Sequence, residues 1–178
     1  MKVSRFLKFG THTAALAEAI ARTQPDVVIE FGCGHWSTPW LAGLARGGAF
    51  RLHTFESCPD WHSKFKFYAG PTVRIEQTDD PVEAAAYADF VGRRVLAFVD
   101  ASPYQARVDI LRHLHGWDNL DAAVIHDVPT VRPPTEQSVI DCMGMVGRFA
   151  HVLKLMERRP RTTIVSNHID VEEWRPAE

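Results

Sequence analysis

Residues 26–38 read Asp-Val-Val-Ile-Glu-Phe-Gly-Cys-Gly-His-Trp-Ser-Thr, and their reading decides the fold. Asp26–Phe31 is a short, β-branched, apolar run that stops at Gly32-Cys33-Gly34. Such a run bounded by glycines is the pattern of a strand buried on both faces and ending in a tight turn. A helix start follows at once. Thr38 is a good N-cap, Pro39 suits the first helical turn, and Trp40, Leu41, Leu44 and Ala45 make one apolar face before Gly47-Gly48 ends it. Glycines at this turn let the main chain approach a ligand closely, and the helix start offers unpaired N–H groups. A dinucleotide fingerprint needs a third glycine at position 37, where Ser37 stands. From these residues alone, a turn that merely joins strand to helix is the competing reading.

The strand-then-helix unit recurs. Upstream, the Ala-rich Thr13–Thr23 favours helix and Pro25 closes it. Downstream, Arg51–Phe55, Thr72–Glu76, Arg94–Val99 and Ala122–Ile125 read as strands. Pro59–Tyr68, Pro81–Phe90, Pro103–His115 and Thr135–Val146 read as helices. Units in this series predict a parallel sheet covered on both faces through right-handed crossovers. Phe149–Leu155 and Thr162–Ser166 break the rhythm, because the polar link Glu157–Arg161 is too short for a parallel crossover. The fold class is therefore α/β: a doubly wound, mostly parallel, seven-stranded sheet with a C-terminal antiparallel hairpin. One domain accounts for residues 1–178, with a leading helix in 1–24, the sheet in 25–168 and a tail in 169–178.

Composition narrows the function classes. The 178 residues carry 20 Lys+Arg against 22 Asp+Glu, a formal charge of −2, which argues against binding nucleic acid through bulk charge. With 46% hydrophobic and 24% charged residues the composition is that of a folded globular chain. Cys33, Cys58 and Cys142 cannot form a closed disulfide set, and a reducing compartment is the simplest reading. The first thirty residues hold no apolar run long enough for a membrane span or signal, Met1–Phe9 being basic and mixed. A cytoplasmic location is expected.

In an open α/β sheet, ligands bind beyond the carboxyl ends of the strands. That rule gathers Glu30–Trp36, Glu56, Gln77–Asp80, Asp100–Tyr104 and His126–Val128 around one crevice. Glu56 closes the second strand 22 positions after Gly34, where a carboxylate can accept hydrogen bonds from both hydroxyls of a ribose. A solvated strand-end acid is the plainer alternative.

Together, Glu30-x-Gly32-x-Gly34, the acid Glu56 and the order of elements resemble the class I S-adenosylmethionine-dependent methyltransferases over roughly Thr11 to Ser166. Trp36 stands where that family has its third glycine, and Ser37-Thr38 is similar to the branch of small-molecule O-methyltransferases and cephalosporin-hydroxylase-like proteins. The resemblance implies a Rossmann-like fold. It also implies S-adenosyl-L-methionine held by Glu30, Gly32, Gly34 and Ser37 at its methionine part and by Glu56 at its ribose. Asp79 would meet the adenine amino group; capping of the helix at Pro81 by Asp79 or Asp80 competes with that role.

Asp100-Ala101-Ser102-Pro103-Tyr104 and His126-Asp127 end the fourth and fifth strands. Two carboxylates and an imidazole converging there suit either a divalent metal or acid/base chemistry. The segment resembles the macrocin and catechol O-methyltransferase groups, which implies magnesium at Asp100 and Asp127, with Asp100 also beside the methyl donor. The second acid of the macrocin-like pattern is replaced by Ser102, and the glycine before it by Ala101. His126 can instead act as general base, or simply bond a neighbouring main-chain group. Trp36, Trp40 and Tyr104 are candidate pocket walls, with core packing as the commoner fate of an aromatic.

Ser102-Pro103-Tyr104 faintly resembles the Pro-Pro-aromatic motif of nucleic-acid amino-methyltransferases, one proline short. Arg93-Arg94 and Arg158-Arg159-x-Arg161 read as solvated surface. The expected activity is methyl transfer to a small-molecule acceptor at oxygen. A nicotinamide-dependent reductase, a nucleic-acid methyltransferase and a non-catalytic binding module on the same fold are the alternatives. Pro129–Glu136 is expected to rim the crevice. Trp117 and Trp174 offer an interface for a homo-oligomer.

Overall fold

The computed structural model describes residues 11–86, 90–128, 137–155 and 161–174. The elements run α1 (Thr11–Thr23), β1 (Val27–Phe31), α2 (Ser37–Arg46), β2 (Arg51–Glu56), α3 (Pro59–Phe65), β3 (Val73–Gln77) and α4 (Pro81–Ala86). They continue with β4 (Val95–Val99), α5 (Tyr104–Leu114), β5 (Leu120–His126), α6 (Gln137–Val146), β6 (His151–Leu155) and β7 (Thr162–Ser166). Every residue of β1 and β4 is buried, as the unbroken apolar runs require of strands covered on both faces.

The seven strands form one sheet in the order β3-β2-β1-β4-β5-β7-β6. Strands β3 to β5 pair in parallel, and β7 pairs antiparallel with both β5 and β6. The hairpin is as expected, and β7 inserts between β5 and β6. β1 lies between β2 and β4, so the winding reverses there and leaves a crevice at the carboxyl ends.

Strand periodicity assigns the two faces. Ile29, Phe31, Ala97, Val99, Ala123 and Ile125 pack with residues of α5 and α6. Val28, Leu52, Leu96, Phe98, Ala122 and Val124 pack with residues of α1 and α2. Fully burying such side chains stabilises the fold by about 1.5–3 kcal/mol each. Glu30 stands in register between Thr54 of β2 and Phe98 of β4. Polar residues at the strand ends are thus presented toward α1 and α2.

Three local expectations change. The second helix begins at Ser37, with Trp36 at its N-cap and no side-chain capping bond. Thr38 is not the cap because its hydroxyl turns inward to a buried carboxylate. Pro59–Tyr68 finishes as a 3-10 turn over Lys66–Tyr68. Trp174 is 4% exposed and packs into the α1/α2-side core, so it offers no interface. Trp117 is partly buried against the opposite core. Met1–Phe9, the expected rim Pro129–Glu136, and Arg158-Arg159 lie outside the described residues. Among those described, no helix is long and apolar enough to cross a membrane.

Candidate active site

Gly32 carries the first constraint. Its φ is +94°, and a Cβ there would meet the main-chain oxygen of Asp100 at 2.8 Å. Gly32 N donates to Phe55 O at 2.9 Å and Asp100 N donates to Phe31 O at 2.9 Å, so the turn is clamped between the ends of β2 and β4. Only glycine satisfies both the left-handed backbone and the contact. Gly34 N donates to Thr38 Oγ1 at 2.9 Å, and that hydroxyl donates onward to Glu30 Oε2, also at 2.9 Å. Thr54 Oγ1 donates to the same Glu30 oxygen at 2.9 Å.

Glu30 is wholly buried. Burial pushes its carboxyl up to about 7, although the surrounding hydroxyls oppose the shift. Glu30 therefore lies beneath the turn rather than on the crevice wall. Ser37, 1% exposed, lies beneath it as well, its hydroxyl among those that oppose the Glu30 shift.

Glu56 is 6% exposed and each of its oxygens is engaged. Oε2 accepts from Cys33 N and Oε1 from Cys58 N, both at 2.7 Å. The carboxylate thus ties the turn after β1 to the turn after β2 and keeps further lone pairs. Beside it opens a cleft of about 430 Å³ whose walls include Gly32, Cys33, Glu56, Trp61, Asp79 and Asp100. Asp80, not Asp79, caps α4: its Oδ1 accepts from Val82 N and Glu83 N at 3.0 and 2.9 Å. Asp79 is left on the wall. Burial, with Glu30 and Glu56 nearby, pushes the Cys33 thiol far up, which removes it as a nucleophile.

A second group of residues gathers where β4 and β5 end. His126 Nδ1 faces Asp100 Oδ1 at 3.1 Å, and Arg107 Nη2 donates to the same oxygen at 3.1 Å. Arg107 also donates through Nε to Ala101 O at 2.6 Å and through Nη1 to His126 O. One guanidinium, 7% exposed, so joins the ends of both strands. The His126 ring, with Nε2 buried and unpartnered, meets the His12 ring edge-on at 4.6 Å between centroids. His12 is 4% exposed with neither ring nitrogen partnered, and burial, reinforced by His126, lowers its pKa to about 4.

The residues do not fit a divalent cation at Asp100 and Asp127. Asp100 Oδ1 already faces a guanidinium and an imidazole, and Asp127 is exposed on a left-handed backbone, φ 58°. Among the described residues no group of three or more His, Cys, Asp or Glu could hold a metal. Tyr104 Oη donates to Asp127 O at 2.9 Å, and its ring lies under the Arg107 guanidinium at 4.8 Å. None of the expected aromatic walls, Trp36, Trp40 and Tyr104, lines the cleft; Phe55 and Trp61 do.

Sequence reasoning missed Arg107 and His12, and both left the same trace. Arg107 shares the i, i+4, i+7 stripe of α5 with the buried Leu111 and Leu114; His12 shares one with Leu16 and Ala19 of α1. A polar residue on an apolar stripe must be satisfied by a partner or hold a purpose.

No family model and no curated protein matches the chain. Solved structures do. An O-methyltransferase from Bacillus cereus, determined in complex with SAH, has a TM-score of 0.64 at 15% identity, covering 88% of this chain and 81% of that one. The O-methyltransferase TomG from Streptomyces achromogenes, involved in tomaymycin synthesis and determined with SAM, has a TM-score of 0.58 at 17% identity, covering 90% and 82%. The fold is the Rossmann-like methyltransferase fold. At these identities the likeness is one of architecture, and the chemistry has to be argued from the residues.

Proposed function

We propose that this chain is an S-adenosylmethionine-dependent methyltransferase acting on a hydroxyl of a small molecule. The observation that carries the reading is the cleft at the switch point, where side-chain-free Gly32 adjoins Glu56, a carboxylate preset by two main-chain amides. Two neighbours of the same fold, determined with SAH and with SAM, support it.

When bound, the donor supplies an activated methyl on a sulfonium, which passes to the acceptor oxygen while the sulfur keeps the bonding pair. The protein must then align the partners and take one proton. In this reading Glu56 receives the ribose hydroxyls, Asp79 meets the adenine edge, and the turn at Gly32-Cys33-Gly34 faces the methionine part. Glu30 and Ser37 act from below by holding the shape of that turn. Asp100 keeps the His126 proton on Nδ1, so that Nε2 offers the lone pair that accepts the hydroxyl proton. Arg107 holds Asp100 in place. Asp127 contributes its main chain, and no step runs through a metal.

Calorimetric titration with SAH and SAM tests the reading. Binding of either, weakened at least about tenfold in Glu56→Ala through loss of charge-assisted hydrogen bonds, is the expected result. Absence of affinity for both would overturn it. Binding without turnover on any hydroxyl acceptor would favour the non-catalytic module.

A further inference from the structure

Three imidazole nitrogens at this end of the sheet are buried without a hydrogen-bond partner: both of His12 and Nε2 of His126. Leaving a buried polar atom unpaired costs about 1–3 kcal/mol. Unpartnered ring nitrogens occur elsewhere in the described chain, at His53 and His113, but those rings pack against Phe90 and Trp117 and not against another imidazole. Here two such rings meet, 79° apart in plane, and one is already oriented by a carboxylate.

We propose that His12 is the second imidazole of the acceptor side, forming with His126 a paired hydrogen-bonding site that receives the acceptor's hydroxyl. The inference rests on the methyl-transfer reading and adds to it a binding residue and the helix that carries it.

The chemistry of the pair suits a hydroxyl and excludes a carboxylate or an ammonium. Asp100 at Nδ1 leaves His126 Nε2 as a hydrogen-bond acceptor. His12, neutral because burial holds its pKa to about 4, presents one acceptor and one N–H donor. A group that donates to His126 and accepts from His12 bridges them. A hydroxyl does both; a carboxylate cannot donate and an ammonium cannot accept. Phe98 supplies an apolar wall, its ring 5.0 Å from that of His12 and inclined by 32°. His12 sits in the first turn of α1, which packs over β5, β4 and β7. The pair therefore exists only while the leading helix is docked on the sheet.

The test follows histidine ring nitrogens by ¹H–¹⁵N NMR in the full chain saturated with SAH, with phenol as the probe hydroxyl. Phenol is expected to shift His12 and His126 together with one dissociation constant. His12→Phe, which keeps a ring against Phe98, should weaken the phenol response of His126 at least tenfold, leave SAH affinity within twofold, and raise Tm by a few degrees. His12→Gln, which restores a donor and an acceptor, should recover part of the response and also serves if the Phe variant folds poorly. A response of neither ring, of His126 alone, or one unchanged in the His12 variants would overturn the proposal. SAH binding with silent imidazoles would remove the subsite and keep the methyl-transfer reading. Imidazoles that respond to phenol in a chain indifferent to SAH would remove that reading instead.

Discussion

The ends of β1 and β2 and the ends of β4 and β5 solve opposite problems with similar residues. At the first, the Glu56 carboxylate is met on both oxygens by main-chain amides before any ligand arrives. At the second, Asp100 and Arg107 are paired with each other, but the two rings beyond them carry three buried, unpartnered nitrogens. A site whose polar groups are preset by main chain recognises an invariant ligand, because main-chain geometry does not depend on neighbouring side chains. On the proposed reading, a site built from side chains on α1, β4, α5 and β5 can change from one acceptor to another. The hydrogen bonds make the first end a template and leave the second dependent on what it binds.

Arg107 gives the largest expected effect. Arg107→Met retains an apolar stem but strips partners from Asp100, Ala101 O and His126 O in one step. Removing one partner of a buried charged network costs about 3–5 kcal/mol. Chemical denaturation should show a loss of that order, with the histidine NMR signals of His126 displaced. A loss under 1 kcal/mol would mean that the β4/β5 end is held by packing alone. Gly32→Ala tests the other end. Left-handed strain of about 1–2 kcal/mol adds to the clash with Asp100 O, so both stability and SAH affinity should fall. If affinity is unchanged, the turn does not face the donor.

Glu30 gives the subtlest readout. Its carboxyl is raised from 4.5 to about 7, so the folded state binds more protons than the unfolded state between those values. Stability contributed by this group falls as pH rises through that window and levels off above it. The full difference is on the order of 3 kcal/mol. Glu30→Gln removes the titration, so the gap in unfolding free energy between the two proteins should drift by up to that amount between pH 4.5 and 7. A gap that stays constant with pH would place the charge of Glu30 elsewhere than under the glycine turn.

Much of this was legible in residue order. The apolar runs Val27–Phe31 and Val95–Val99, each closed by a turn, identify the central strands, and the short link before Thr162 identifies the hairpin. Glu56 and Asp79 could be placed at the crevice because periodicity marks strand ends, and both line the cleft; their roles toward a donor came only from the resemblance. Thr38 was misread as a cap, since nothing local shows that Glu30 beneath it needs its hydroxyl. Arg107 drew no reading from residue order, since a lone base on a helix is usually solvated. Its acceptors lie 6, 7 and 19 residues away, at the ends of two different strands.

Sequence by itself determined the alternation of strands and helices, their buried faces and the sharp turn at Gly32, because these follow from periods of 2.0 and 3.6 and from short-range sterics. Tertiary structure alone decided that β7 slots beside β5, that Asp100 is shared by Arg107 and His126, and that His12 touches His126 across 114 positions of chain. Partnerships of this kind depend on how elements dock, and docking is set by the whole packed core rather than by any one segment.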